Sequence, residues 1–295
     1  MGVGVRRDAE GMAHDTEPHT VARPRMALSI PNMAEPDELV DLGVRAEASG
    51  WDGVFLWDHA HGSPEMPAPT ADPWVVLGAL ATATERVTLG TAITPAARRR
   101  PHKLARETVT VDRLSHGRMV LGVGLGEPPD EYTAYGEDAD RRVVAAKLDE
   151  ALEVVTGLWS GRPFSHRGRH FTVEDAQFLP TPVQQPRIPI WAACIVPHTR
   201  PLRRAARWDG VVLGAIGASG SLDPVPPDEA RRAAAAIAEH RPPGAGPFDV
   251  AVSHSGVPSD RELDAYASAG VTWVMATGWM EQLTELIELA GTRVS

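Results

Sequence analysis

Short apolar segments alternate with amphipathic segments from residue 25 to the end of the chain. The short apolar segments are typical of buried strands. The amphipathic segments place apolar residues at helical spacing, which predicts helices with one buried face. Eight strands are predicted in this way, at residues 25–31, 53–57, 86–94, 117–126, 189–194, 209–214, 248–254 and 271–277.

A predicted helix follows each predicted strand. The second helix has a clear start signal, because Asp72 stands at the N-cap position and Pro73 at the first helical position. Alternating strands and helices imply right-handed βαβ units and a parallel sheet. Eight units fit an α/β fold of the (β/α)8 TIM barrel type better than a doubly wound sheet. The predicted helices cover residues 37–49, 72–85, 101–115, 141–159, 199–207, 228–240, 259–268 and 280–290.

Two parts of the chain depart from this alternation. Residues 160–188 predict a hairpin with an extended, proline-rich arm, inserted before strand five. Residues 1–24 lack periodicity and an apolar h-region, so we expect a disordered leader and not a secretory signal. No long linker divides the remainder, and residues 25–295 are therefore predicted to form a single domain.

Composition and charge limit the expected partners. Asp and Glu outnumber Lys and Arg by 39 to 29, and the net charge of −10 argues against nucleic acid or an anionic membrane as a partner. No apolar run approaches the ~20 residues of a membrane span. The only cysteine is Cys194, so no disulfide framework exists and a cytoplasmic location is predicted.

Titratable residues stand where predicted strands end, which is where barrel enzymes place their active sites. Asp58 and His59 end strand two, and Glu127 follows strand four. A histidine near a carboxylate has its pKa tuned toward neutral pH, so these three residues are the candidate acid–base group. In the alternative interpretation, Asp58 caps the next turn beside an ordinary surface histidine.

The segment "GVGLGE" at residues 122–127 lacks the Gly-x-Gly-x-x-Gly spacing of a dinucleotide-binding turn. Two interpretations of it stay open. Gly124 and Gly126 let a flat ring lie against the strand end, or these glycines serve packing alone. The close histidine pairs, His59 with His61 and His166 with His170, lack matching carboxylate or thiolate partners, and no metal site is predicted.

Six ordered segments resemble the luciferase-like monooxygenase superfamily, the bacterial-luciferase-type barrels that use FMN or the deazaflavin coenzyme F-420. The resemblance covers about residues 25–215 and includes the insertion before strand five. The segments are "LVDLGVRAEASGWDGVFLWDH", "ERVTLGTAITP", "RRPHKLARETVTVDRLSHGRMVLGVGLGE", "KLDEALEVVTGLWSGRPFSHRGRHFTV", "PVQQPRIPIWAA" and "AARWDGVV".

This resemblance implies a cofactor ring across the barrel mouth, against the end of strand three. A bulge or a non-proline cis peptide is expected there, within Thr91, Ala92 and Ile93. The pair Asp58-His59 and the "GLGE" of strand four resemble the proton-handling positions of F-420-dependent sugar-phosphate dehydrogenases. We therefore expect F-420-linked hydride transfer with a small-molecule substrate. His59 would accept the substrate hydroxyl proton, and Glu127 would protonate or orient the ring.

Two departures from the dehydrogenase pattern move the expected phosphate site. An aromatic residue that follows the histidine is absent, with Ser63 near that position, and the paired glycines after strand five are replaced by Cys194-Ile195. The N-terminus of the helix after strand five suits an anion. The residues expected there are His198, Thr199 and Arg200, with the basic cluster at residues 98–100 as a stronger alternative for a direct anion contact.

Several alternatives remain beside the F-420 enzyme. One is an FMNH₂-dependent monooxygenase that uses molecular oxygen, and another is a non-catalytic flavin-binding or partner-binding barrel. Cys194, at the tip of strand five, stands among the expected cofactor contacts, but no adjacent base supports a nucleophile and packing is favoured. The apolar helix segment at residues 74–83 predicts a homodimer, because such helices commonly pair in the superfamily.

Overall fold

The computed structural model describes residues 23–62, 67–217 and 222–294. Most of the predicted leader and Ser63 lie outside the described residues. The described strands, numbered in chain order, are β1 (Arg25–Ile30), β2 (Gly53–Leu56), β3 (Thr88–Thr91), β4 (Thr94–Pro95), β5 (Met119–Gly124), β6 (Phe164–Arg167), β7 (Thr172–Ala176), β8 (Ile190–Ile195), β9 (Gly210–Ile216), β10 (Leu222–Asp223), β11 (Asp249–Ser255) and β12 (Trp273–Thr277).

Eight of these strands close into a parallel barrel. Around the barrel, β1 pairs with β2, β2 with β3, β3 with β5, β5 with β8, β8 with β9, β9 with β11 and β11 with β12. The ring closes where β12 pairs with β1, from Arg25 opposite Trp273 to Ser29 opposite Thr277. The predicted (β/α)8 TIM barrel is confirmed.

The helices surround this barrel. They are α1 (Pro36–Ala48), α2 (Pro73–Ala83), α3 (Pro101–Leu114), α4 (Asp130–Thr133), α5 (Arg141–Trp159), α6 (Arg200–Ala205), α7 (Pro227–Ala238), α8 (Asp260–Ser268) and α9 (Met280–Val294). The predicted N-cap of α2 is confirmed, because the Asp72 carboxylate accepts the backbone N–H of Trp74 at 2.8 Å. The sequence did not predict α4, α6 is shorter than expected, and α9 is longer. Among the described residues, no helix is long and apolar enough to cross a bilayer.

Three aromatic rings fill the barrel interior. Phe55 stacks on Trp191 with a centroid distance of 5.5 Å, and Trp273 meets both rings edge-on. Glycines on neighbouring strands make room for these rings, since a Cβ on Gly90 would lie 2.6 Å from Phe55 and one on Gly210 would lie 2.4 Å from Trp191. Large and small residues therefore alternate across the interior, and the rings close the barrel beneath its mouth.

The third barrel strand is interrupted near its end. The sequence predicted one strand over residues 86–94, but β3 stops at Thr91 and pairing resumes at β4. Between them the Ala92–Ile93 peptide bond is cis, as the resemblance implied. Gly122 of β5 faces this bulge, and a Cβ there would lie 1.9 Å from the carbonyl oxygen of Thr91. The bulge therefore requires a glycine on the neighbouring strand.

The segment before β8 forms the expected excursion. Strands β6 and β7 make an antiparallel hairpin, and an extended arm leads from it to β8. Glu150 on α5 holds the hairpin, because its carboxylate accepts the backbone N–H groups of His170 and Phe171. The insertion is therefore attached to the helix layer.

The packing of the interior rings can be tested at Gly90. Gly90→Ala would push a methyl group against Phe55 and the Val120 carbonyl oxygen, each 2.6 Å away. We expect a loss of about 1–3 kcal/mol in the free energy of unfolding, as for other overpacked cores. Gly78→Ala on α2 is the matched control, because the new Cβ would meet no atom within 4 Å. This substitution should stabilise the helix by about 0.5–1 kcal/mol. Urea titrations measure the free energy of unfolding of both variants, and equal changes in Gly90→Ala and Gly78→Ala would contradict this packing.

Candidate active site

Trp57, Asp58 and His59 follow the end of β2 at the rim of the barrel. Asn32, which is fully buried after β1, fixes this turn. Its side-chain oxygen accepts the His59 N–H at 3.0 Å, and its amide nitrogen donates to the His59 carbonyl at 2.9 Å and the Ala71 carbonyl at 2.8 Å. The backbone of His59 is therefore held from both sides by one amide.

Asp58 forms a buried ion pair and points away from the mouth. Its side chain is 3% exposed, and its two oxygens accept hydrogen bonds from Arg99 at 2.6 and 3.0 Å. Burial opposes the Arg99 charge, but Asp58, with smaller contributions from Asp72 and Glu107, outweighs this effect, and the pKa of Arg99 is raised. Asp58 thus balances the Arg99 charge as a structural anion, and its place in the predicted acid–base group stays a prediction.

A different carboxylate holds His59. Glu131, on the single-turn helix α4, is buried, and its Oε1 lies 2.6 Å from His59 Nδ1. Its Oε2 accepts the Ala60 N–H and a charged hydrogen bond from Arg98. Arg98 also donates to the backbone carbonyl oxygen of Asp58 and lies 3.8 Å from its carboxylate, so this arginine joins the two buried carboxylates.

The protonation state of Glu131 follows from these contacts. Burial works to raise the pKa of Glu131, but the hydrogen bond from His59 and the charge of Arg98 outweigh it, and the pKa of Glu131 is lowered. The carboxylate is therefore ionised at neutral pH and can only accept hydrogen bonds. It follows that Nδ1 of His59 carries a hydrogen, and that Nε2 of the neutral ring keeps its lone pair.

The predicted partner Glu127 lies elsewhere on the rim. Its side chain is 57% exposed and pairs with Arg141 at the start of α5. The structure therefore does not join Glu127 to His59, and the carboxylate four residues further along the chain takes that position. A catalytic role for Glu127 stays a prediction.

The expected cofactor contacts near β3 divide into two groups. Thr91 is fully buried, and its hydroxyl donates to the Gly122 carbonyl at 2.8 Å, so it serves strand pairing. Ala92 and Ile93 are partly exposed and pack on the aromatic rings beneath. These two residues form an apolar floor at the mouth.

The glycines after β5 have packing reasons of their own. A Cβ on Gly124 would lie 2.7 Å from Ile93, and Gly126, whose φ is +81°, would meet Pro95 at 2.8 Å. Both glycines accommodate the interrupted third strand. This geometry supports the packing interpretation, and contact with a cofactor stays a prediction for both.

Beyond β8, the structure separates the predicted residues. Cys194 alternates with the inward-facing Trp191 and Ile195 and points into the layer under the helices, where its thiol donates to the His198 carbonyl at 3.1 Å. Burial raises the pKa of Cys194 to about 12, so the thiol stays protonated at neutral pH and packing is the role that its surroundings support. A contact between Cys194 and a cofactor stays a prediction. The residues expected to bind an anion, His198, Thr199 and Arg200, are exposed at the start of α6.

In the basic cluster after the third strand, Arg100 is exposed, whereas Arg98 and Arg99 are not free to bind an anion. Arg98 and Arg99 are directed to the buried carboxylates, and Arg99 also lies 3.9 Å from Glu107 and from Asp72. Their positive charges are therefore balanced within the protein. Among the described residues, no group of three or more histidine, cysteine, aspartate or glutamate side chains is arranged to hold a metal ion.

Sequence reasoning missed Asn32 and Glu131, and it named Arg98 as a candidate for a ligand anion without its partner Glu131. Glu131 stands in "EPPDEY", where nothing local distinguishes it from the neighbouring Asp130. Its position depends on Tyr132, whose hydroxyl donates to the Leu125 carbonyl at 2.6 Å and so fixes the turn over the end of β5. Two carboxylates after a proline pair, near the end of a barrel strand, were the available signal.

Comparisons with known proteins agree with this architecture. A family model described as luciferase-like monooxygenase matches residues 13–292. Over 161 residues the chain is 40% identical to the F420-dependent glucose-6-phosphate dehydrogenase of Microbacterium testaceum. The matched segment covers 53% of this chain and 46% of that protein. The chain spans about half the length of the curated relatives it matches.

Solved structures share the fold at low identity. The coenzyme F420 dependent tetrahydromethanopterin reductase from Methanopyrus kandleri matches with a TM-score of 0.69 and 19% identity, over 92% of this chain and 98% of that one. The oxygenating constituent of 3,6-diketocamphane monooxygenase from Pseudomonas putida, in complex with FMN, matches with a TM-score of 0.65 and 18% identity. This match covers 82% of this chain and 70% of that one. At these identities the likeness concerns the fold alone.

The two arginine–carboxylate pairs of the rim allow a matched test of burial. Asp58→Asn leaves Arg99 buried beside a neutral amide, and we expect a loss of about 3–5 kcal/mol in the free energy of unfolding. Glu127→Gln breaks the exposed pair with Arg141 and should change the free energy of unfolding by less than about 1 kcal/mol. Chemical denaturation measures both variants. If Asp58→Asn were as stable as Glu127→Gln, Asp58 would not be the anion that holds the rim together.

Proposed function

Because this chain belongs to the luciferase-like monooxygenase family, we propose that it is a coenzyme F-420-dependent oxidoreductase that transfers a hydride between the coenzyme and a small alcohol or ketone. The observation that carries this proposal is the His59–Glu131 hydrogen bond at the barrel mouth, which prepares a histidine to accept a proton. Two curated relatives are named F420-dependent glucose-6-phosphate dehydrogenase, and these names support the same choice of coenzyme.

The residues of the mouth fit a planar deazaflavin ring. Ala92 and Ile93 offer a partly exposed apolar surface, supported from below by the aromatic rings of the interior. We propose that the ring lies on this surface and that His198, Thr199 and Arg200 contact the anionic part of the coenzyme. When bound, oxidised F-420 supplies the acceptor for the hydride, one proton with two electrons, that leaves the carbinol carbon.

His59 handles the other proton of the alcohol. The hydroxyl O–H bond breaks, its proton goes to Nε2, and the electron pair left on oxygen forms the carbonyl double bond. The resulting imidazolium is stabilised by Glu131, whose negative charge already faces Nδ1 at 2.6 Å. In the reverse direction His59 returns the proton to the carbonyl oxygen. Glu131 acts through His59 and is a positioning residue.

The choice of coenzyme is tested by equilibrium binding. The purified chain should bind F-420 more tightly than FMN, as followed by absorbance and fluorescence titration. Tighter binding of FMNH₂ with oxygen consumption would favour the monooxygenase alternative. Binding of a flavin without turnover of any alcohol or ketone would favour a non-catalytic barrel, and either result would overturn the proposal.

The role of His59 is tested by substitution. His59→Ala should lower kcat by about 10²–10⁴-fold, the usual range for a general acid–base group, while F-420 affinity changes little. Glu131→Gln should lower kcat by a smaller factor than His59→Ala does, because the proton acceptor remains but the imidazolium that forms in the reaction loses its counter-charge.

His61→Ala is the matched control, because this histidine lies two residues away and its Nδ1 contacts the Gly62 carbonyl at 2.7 Å. Its turnover should stay within a factor of about three of the unaltered chain. Full activity in His59→Ala, or a loss in His61→Ala of the same size, would remove His59 from the reaction.

We also propose that the chain forms a homodimer through α2. The helix buries Trp74, Val76, Leu77 and Leu80, yet Val75 on its outer face is largely exposed. A dimer that covers this face should be split by Ala79→Glu, an exposed position of α2, and left intact by Ala235→Glu, an exposed alanine of α7. Light scattering at micromolar concentration measures both variants, and a monomer in the unaltered chain would refute the proposal. The cytoplasmic location stays a prediction.

A further inference from the structure

An aromatic row extends from His59 along one side of the mouth. The Trp57 and His59 rings lie 5.6 Å apart between centroids, and Trp279 meets Trp57 edge-on at 6.2 Å. These residues follow β2 and β12, which flank β1 in the barrel, so the row covers one continuous arc of the rim. Trp279 is 51% exposed, so an apolar ring face stands beside the proposed proton acceptor.

The orientation of this row is fixed by hydrogen bonds at its edges. The Trp57 indole N–H donates to the Ser29 hydroxyl at 2.9 Å, and the Trp279 backbone N–H donates to Gln282. With its only polar atom already bonded, Trp57 presents carbon atoms to the mouth. A ligand that contacts Trp57 must therefore offer apolar surface in return.

The opposite side of the mouth is apolar as well. Residues of a strand alternate between its two faces, so Ile195 faces the same way as Trp191, and Ile216 the same way as Val212, whose side chains fill the interior. Both isoleucines are at least partly exposed, and Ala92 and Ile93 lie between them and the aromatic row.

The positive charges nearest His59 do not face this space. Arg98 and Arg99 approach the turn after β2, but each is directed to a buried carboxylate, Glu131 or Asp58. At the inward-facing positions of the described strand ends, His59 is the titratable side chain, and the others are apolar, small or hydroxylic. A phosphate group would lose its hydration at this surface, and neither Arg98 nor Arg99 is free to bind it.

We infer that the substrate is a neutral secondary alcohol or ketone that carries an apolar ring, and not a phosphorylated sugar. This inference rests on the proposed function, and it assigns Trp57 and Trp279 as the residues that select the ring. The hydroxyl group meets His59, and the carbon skeleton lies along the aromatic row.

The test compares 1-phenylethanol, propan-2-ol and glucose 6-phosphate as ligands. Binding is measured by saturation-transfer NMR and titration, with and without F-420, and kcat/KM is measured with F-420. The unaltered chain should bind 1-phenylethanol at least about tenfold more tightly than glucose 6-phosphate. Trp279→Ala should weaken 1-phenylethanol about tenfold, mainly through Kd and KM, because an aromatic contact and its buried area are lost.

Matched controls separate selection from folding. Trp279→Ala should change the Kd and KM for propan-2-ol, which has no ring, by no more than about twofold. Trp279→Phe should restore most of the affinity for 1-phenylethanol. Because Trp279 is half exposed, the thermal unfolding midpoint of these variants should stay close to that of the unaltered chain. Equal losses for 1-phenylethanol and propan-2-ol in Trp279→Ala would overturn the selection role.

The outcomes also distinguish this inference from the proposed function. If the chain binds F-420 and oxidises glucose 6-phosphate in preference to the alcohols, the inference fails and the proposed function stands. If it binds 1-phenylethanol through Trp279 but does not bind F-420, the proposed function fails and the ligand class stands. Binding of none of the three compounds would overturn the inference.

Discussion

The candidate active site depends on two buried carboxylates that need counter-charges. An isolated carboxylate in an apolar interior costs several kcal/mol, which is far more than one hydrogen bond returns. Arg98 supplies the counter-charge of Glu131, and Arg99 supplies that of Asp58. Arg98 also contacts Asp58. Because Arg98 spans from the β2 turn to α4, it fixes the distance between the elements that position His59.

The interrupted third strand is what brings these arginines to the site. After Thr91 the chain bulges at Ala92–Ile93, re-pairs with β5 at Thr94, and enters a short 3-10 turn that ends at Arg98. The bulge needs glycine on β5, because a side chain at position 122 would collide with the Thr91 carbonyl. The glycine-rich strand, the bulge and the arginine pair are therefore consequences of one local geometry.

Sequence reasoning reached the barrel because the alternation of strands and helices is a local property of the chain, with periods that can be counted. It also placed Asp58 and His59 at a strand end, where a site was to be expected. The contact between His59 and Glu131 joins residues 72 positions apart and depends on a single helical turn, which has no periodicity to detect. The same limit explains Arg98 and Arg99, since a run of cations resembles a solvated face until the buried carboxylates opposite are known.

The two candidate carboxylates of the rim differ in the medium around them, and this difference separates their roles. Glu127 and Arg141 interact in water, where an ion pair is screened and holds neither side chain in one place. Glu131 acts on His59 from a buried position, where the effective dielectric constant is lower and the same charge has a larger effect on the ring. A histidine that must gain and lose a proton needs a partner that stays charged and stays in place. Of the two residues, Glu131 meets both conditions in the folded chain, whereas Glu127 would first have to leave Arg141.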